Sequence, residues 1–150
     1  MIEEGRKNKE IMLNFKNIDG NYARGLHRGF DRLGRLNVHK ARLFVRKPPK
    51  TGRLYRIKGR KNRHRASRVG ESPANLFGNL ARSIGFQING SEMQFATYGD
   101  SKGESVQIGG VAYGGWLEVG MKRPFMSRTV EAHEGLADNV LNDEMLEAIK

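Results

Sequence analysis

The 150 residues include no cysteine, four prolines and one tryptophan, and they hold no long apolar run. Without cysteine there is no disulfide framework, no thiolate nucleophile and no zinc-thiolate site. The longest charge-free stretch, Ser105 to Leu117, is short and rich in glycine, too short for a membrane span. The chain opens with Glu3, Glu4, Arg6 and Lys7 where a secretory signal would place apolar residues. These absences predict a soluble protein made in the cytosol, with no membrane partner. A chain of this length suits one domain, 1–150, and buries enough surface to hold a core without cross-links.

Acidic residues are missing from one long interval. Between Asp31 and Glu71 there is no Asp or Glu, and 15 Lys and Arg fall there. The remaining 12 basic and 16 acidic residues leave the rest of the chain at −4, although the whole carries +11. Clustered like charges repel and persist best where a counter-charge relieves them, so the interval points to a polyanion or an acidic protein surface.

The apolar residues Ile11, Phe15, Ile18, Tyr22, Leu26, Phe30 and Leu33 step by three and four, the stripe of an amphipathic helix. That spacing predicts a long helix over 9–46, weakened by Gly20, Gly25, Gly29 and Gly34 and ended before Pro48 and Pro49. Residues 47–72 are poor in large apolar groups and dense in Arg and Lys, which predicts an extended basic loop or arm. Leu80, Arg82, Ile84, Phe86 and Ile88 alternate with smaller or polar residues, and Asn89-Gly90 suits a tight turn. A β-hairpin over 80–98 follows, within a region of antiparallel strands at 78–120 that includes Val106, Ile108 and Val111. Apolar positions from Met126 to Ile149 return to helical spacing, giving an acidic amphipathic helix over 125–148. The expected class is α+β: a small antiparallel β-sheet packed by the N-terminal and C-terminal helices, with the basic arm extended from it.

Residues that carry chemistry do not assemble into a recognisable constellation. His27, His39, His64 and His133 are scattered without a metal-ligand spacing. The glycines at 109, 110, 114 and 115 match neither a dinucleotide fingerprint nor a phosphate loop, and no nucleophile elbow is present. No catalytic residue, metal or cofactor is predicted. The echo between Gly52-Arg53-Leu54-Tyr55-Arg56 and Gly78-Asn79-Leu80-Ala81-Arg82 reads as two strand starts, glycine supplying the turn. Tyr113, Trp116, Leu117 and Phe125 surround Glu118 as an aromatic cluster, either core or a partner-facing edge.

Several short motifs recur in a telling order. They are Pro48, Thr51, Gly52 and Leu54; Gly70, Glu71 and Pro73; Gly78, Leu80, Ser83 and Ile84; Tyr113, Trp116, Leu117, Glu118 and Gly120; and Arg123, Pro124 and Phe125. Over roughly residues 9–148 this order resembles the neck and tail-completion proteins of long-tailed bacteriophages. Phe77 and Met121 depart from it, each standing where that family commonly has threonine. The resemblance implies a non-enzymatic virion protein, assembled in the host cytoplasm and placed at the head-tail interface. It would form a six-fold or twelve-fold ring between the portal-adaptor or stopper complex and the tail tube or terminator, with DNA passing through. On that reading Lys50, Arg53, Arg56, Lys58, Arg60, Lys61, Arg63, Arg65 and Arg68 form an arm facing DNA or a neighbouring subunit, and Trp116, Glu118 and Phe125 lie near subunit contacts. The competing expectation is a stand-alone basic nucleic-acid-binding protein that contacts phosphates, with Tyr55 interleaved among the cations and no reading module of its own.

Overall fold

A computed structural model of the chain describes residues 2–47, 50–59, 61–74, 78–97, 107–108 and 111–150, with side chains from Asp19 onward except at 107, 108 and 111–113. Arg60, Phe77, Val106 and the side chains of Ile11, Phe15 and Ile18 lie outside the described residues. Helix α1 spans Ile2–Arg46, seven residues earlier at its start than the apolar stripe predicts, and at 1.5 Å per residue it is about 67 Å long. The second long helix, α4, spans Met126–Ile149 and runs antiparallel to α1. The class is α+β, as the apolar spacing predicts.

Two of the glycines that weaken α1 as an isolated helix, Gly25 and Gly29, let α4 approach it, and Gly34 admits β3. A Cβ on Gly25 would stand 2.8 Å from the Glu144 carbonyl oxygen and 2.9 Å from the Cα of Met145. One on Gly29 would stand 2.8 Å from Leu141 Cδ2, and one on Gly34 would overlap the Phe86 ring. At these three positions the backbone entropy cost of glycine is offset by closer packing of the neighbour, whereas Gly20 has open space. The crossing is tied on its flank by Arg28 and Arg32, whose guanidinium groups reach the Glu144 carboxylate at 3.7 and 3.2 Å. Further along, His133 Nδ1 lies 2.7 Å from Oδ1 of buried Asn37. Burial holds this imidazole below its ordinary pKa, and nearby Lys40 adds to the effect.

Among the described residues the strands form three two-stranded antiparallel ribbons that share no strand, where one small sheet is expected. β1 (Leu54–Arg56) pairs with β2 (Arg63–Arg65), β3 (Ile84–Asn89) with β4 (Glu92–Thr97), and β5 (Gln107–Ile108) with β6 (Val111–Ala112). The C-terminal half of α1 lies on β3 and β4, whereas the main partner of α4 is α1 itself. The core gathers where these meet: Ala41 and Val45 of α1, Leu80, Ala81, Ile84, Leu117 and Phe125. Phe125 is fully buried, and truncating a phenylalanine so placed to alanine costs roughly 3–5 kcal/mol.

Two local expectations fail, each for a packing reason. Residues 79–83 form a helical turn, α2 (Asn79–Ser83), and not the start of a strand. Leu80 and Ala81 are adjacent and both buried, which a strand with one inward face cannot achieve, whereas Leu80, Ala81 and Ile84 share one side of a helical turn. The β3–β4 turn sits at Gly90-Ser91, with Gly90 at φ +60°, one residue beyond the expected Asn89-Gly90. That register places Phe86 opposite Phe95 and Ile88 opposite Met93, whereas the expected turn would set Ile88 against Ser91. The last part of the 78–120 region is also helical: α3 (Tyr113–Gly115) runs into a π-helical turn over Trp116–Gly120.

The glycine contacts separate two substitutions of the same kind. Gly135 in α4 has open space where a Cβ would go, so Gly135→Ala is expected to raise stability by about 0.5–1 kcal/mol through helix propensity. Gly25→Ala, forced against backbone, is expected to lower it by about 1–3 kcal/mol. Urea midpoints of the two variants against the parent protein check both signs.

Candidate functional site

The expected basic extended arm, 47–72, contains a two-stranded ribbon whose first strand starts at the Gly52-x-Leu54 echo. Leu54 faces Arg65, Tyr55 faces His64, and Arg56 faces Arg63 across β1 and β2. Placing two arginines directly opposite in an antiparallel pair is destabilising. Among the described residues no carboxylate forms an ion pair with the ribbon. Arg53, Arg56, Lys58, Lys61, Arg63, Arg65 and Arg68 are all exposed, as are Leu54 and Tyr55. The Arg53 guanidinium lies 5.8 Å from the centre of the Tyr55 ring, within cation–π range.

What keeps this self-repelling ribbon shut is its root. Gly52 N–H donates to the Ala66 carbonyl at 2.9 Å, and Ala66 N–H donates to the Arg53 carbonyl at 3.0 Å. A Cβ on Gly52 would stand 2.6 Å from the Ala66 oxygen, so this close pairing requires glycine. Glu71 then ties both ends of the ribbon. Its Oε2 accepts the Thr51 and Arg68 backbone N–H groups, each at 2.9 Å, and its Oε1 accepts the Thr51 hydroxyl. These bonds, the Thr51 hydroxyl first, hold the Glu71 carboxyl down at a pKa of about 2.

Lys50 does not belong to the exposed surface. Its ammonium donates to the Phe44 carbonyl at 3.0 Å and the Ser72 carbonyl at 2.7 Å, closing the C-terminal turn of α1 against the returning chain. Burial pushes its pKa down. The same returning chain is fixed to the start of α4. Ser72 Oγ donates to the Pro124 carbonyl, Gly70 N–H to the Lys122 carbonyl, and Arg128 to the Gly70 carbonyl.

The proposed contact group of Trp116, Glu118 and Phe125 divides. Trp116 is 37% exposed on the π-helical turn and is packed against Gly120, whose Cβ would come within 3.0 Å of the indole. Phe125 has no accessible surface, so in this fold it is core and not a contact with another subunit. Glu118 is occupied internally, because its carboxylate caps the N-terminus of α4. It accepts the backbone N–H groups of Phe125, Met126 and Ser127 at 2.9, 3.1 and 3.0 Å and the Ser127 hydroxyl as well. Burial would raise its pKa, but those four donors outweigh burial and leave it lowered.

Glu71 and Glu118 are the residues whose roles spacing did not disclose. Each accepts bonds from a segment remote in sequence or lying across a turn, and the only signals were a Thr-Gly and a Gly-Glu some twenty residues apart, and a Glu seven residues before Phe125. The two Gly-x-Leu-x-Arg echoes also diverge: the first starts strand β1, the second forms α2. Among the described residues no group of three His, Asp or Glu stands ready to hold a metal, and no helix is long and apolar enough to cross a membrane.

Both carboxylates have folded-state pKa values below 4.5, so the unfolded chain takes up protons first as pH falls. Their stabilisation is full above pH 4.5 and is lost on acidification, for Glu71 down to about pH 2. Glu118→Ala is expected to cost about 1–2 kcal/mol, the loss of a helix cap, in thermal melts at neutral pH. Glu71→Ala is expected to act locally, with faster amide hydrogen exchange at Thr51 and Arg68 while the α1–α4 crossing keeps its protection.

No family model, curated protein or solved structure matches the chain.

Proposed function

We propose that the chain is a non-enzymatic structural subunit of a tailed-bacteriophage head-tail connector, a neck or tail-completion protein that closes into a ring through which DNA passes. The observation that carries this reading is the basic β1–β2 ribbon, held on a tied root and carrying eight Lys and Arg from Arg53 to Arg68 with no acid among them. A ring repeats that ribbon around one axis, so a charge distribution unfavourable in a lone monomer becomes a continuous cationic belt.

The motifs behind the resemblance support the reading by meeting in space. Thr51 and Gly52 are joined to Gly70 and Glu71 through the ribbon root, and Glu118 is joined to Phe125 at the start of α4. Such mutual locks explain why those residue types would travel together in one order. Trp116 remains as the exposed aromatic of its cluster for contact between subunits. The partners implied are further copies of this chain, an adaptor or stopper on the head side, and a tail tube or terminator on the other. The second reading, a stand-alone protein that binds nucleic-acid phosphates, is favoured by the unrelieved Arg56–Arg63 pair and requires no ring.

Negative-stain images and sedimentation of the purified chain, alone and mixed with its neighbouring neck and tail components, test the proposal. Annular particles are expected in at least the mixture, and Trp116→Ala is expected to reduce their number at a temperature where circular dichroism and the thermal melt show the variant still folded. A protein that stays monomeric in every mixture overturns the ring.

A further inference from the structure

We infer that the β1–β2 ribbon is a phosphate-binding element for double-stranded DNA, entering a groove with cations on both of its faces. The inference rests on the connector reading and deepens it by naming what the ribbon touches.

Alternation along β1 and β2 places Arg56, Arg63 and Arg65 on one face, with Arg53 and Tyr55 on the other. Directly opposed residues in an antiparallel pair have Cβ atoms about 5 Å apart, so Arg56 and Arg63 each sit in the other's field. An anion placed between or beside them relieves that repulsion, and guanidinium forks suit phosphate oxygens. Glu71, the acid that ends the basic interval, is already engaged with Thr51 and Arg68.

Two features favour DNA over an acidic protein surface as the source of that anion. A flat protein surface meets one face of a ribbon, whereas the major groove is about 12 Å wide, admits a two-stranded β-ribbon, and has phosphates along both walls. Protein interfaces also centre on buried apolar anchors and exclude charge from their cores. Here the apolar side chains of the two strands are Leu54 and Tyr55, with Ile57 half-buried just beyond them, and Arg53, Arg56 and Arg65 flank them in sequence or across the ribbon. The tied root adds a third advantage, since a ribbon ordered beforehand loses little conformational freedom on binding.

Fluorescence anisotropy with a labelled duplex DNA, titrated with the full chain at about 50 to 200 mM salt, measures the effect. Arg56→Gln/Arg63→Gln is expected to weaken binding by more than about tenfold at 100 mM salt and to flatten the slope of log affinity against log salt by about 2. Arg24→Gln/Arg35→Gln removes the same charge from α1, outside the ribbon, and is expected to change affinity less than about twofold by the same counterion logic. Equal losses in both variants, or unchanged binding in the ribbon variant, overturn the inference. So does a parent protein that ignores DNA yet self-associates in a manner abolished by Glu131→Lys/Glu134→Lys/Asp138→Lys, because the ribbon's partner is then the acidic α4 of another copy. Circular dichroism confirms that each variant is folded. Annuli that form normally without DNA binding sink this inference alone, whereas DNA binding without annuli sinks the ring.

Discussion

The Glu71 carboxylate is the contact on which the functional part of this molecule depends. A two-stranded ribbon of three residues per strand is marginal in water even before charge is considered. This one also places arginine opposite arginine. It stays paired because Glu71 accepts bonds from Thr51 and Arg68, one at each end, while Gly52 lets the two strands close against Ala66. The negative charge at the root is therefore placed where it binds backbone donors; Arg65 donates to the Gly52 carbonyl, and among the described residues Arg56 and Arg63 meet no carboxylate.

Glu118 applies the same chemistry to the body of the fold. Three successive backbone N–H groups at the start of α4 have no partner within the helix, and one carboxylate satisfies them. The cap holds α4 beside the core residue Phe125, and from there the helix runs back along α1 to the close crossing at Gly29 and Gly25. The Gly70 and Ser72 bonds to Lys122 and Pro124 connect this cap to the ribbon root. Ribbon, root and helix start thus form one hydrogen-bonded chain of supports, anchored on a long helix that supplies a rigid base.

The charge distribution then has a mechanical meaning. The acidic residues of α4 and the cations of the ribbon form no ion pair with each other among the described residues, apart from which Arg128 is used to hold the Gly70 carbonyl. A molecule that keeps opposite charges apart on separate elements is suited to meeting two different surroundings. On the connector reading proposed above, these would be the DNA path for the ribbon and protein for α4 and Trp116. Glu118 and Phe125, which the resemblance suggested for subunit contact, are instead engaged inside the fold, as helix cap and core.

Several features were legible in the order of residues because they depend on local periodicity or on composition. The three-and-four spacing through Leu33 and again beyond Met126 implies helices, the alternation at Ile84, Phe86 and Ile88 implies a strand, and the acid-free interval implies a cationic element. What depends on contacts between distant segments was not legible. Gly25 and Gly29 read as helix weaknesses until α4 lies across them, Leu80 reads as a strand start until Ala81 must be buried beside it, and Lys50 counts as one more surface cation until the Phe44 and Ser72 carbonyls surround it. The sequence by itself determined the two long helices, the class and the excess of charge, since each follows from neighbours within a few positions. Only the tertiary structure decided which charges face outward and which glutamates are committed inside, because a hydrogen-bond donor twenty residues away becomes a partner only once the chain has brought it within 3 Å.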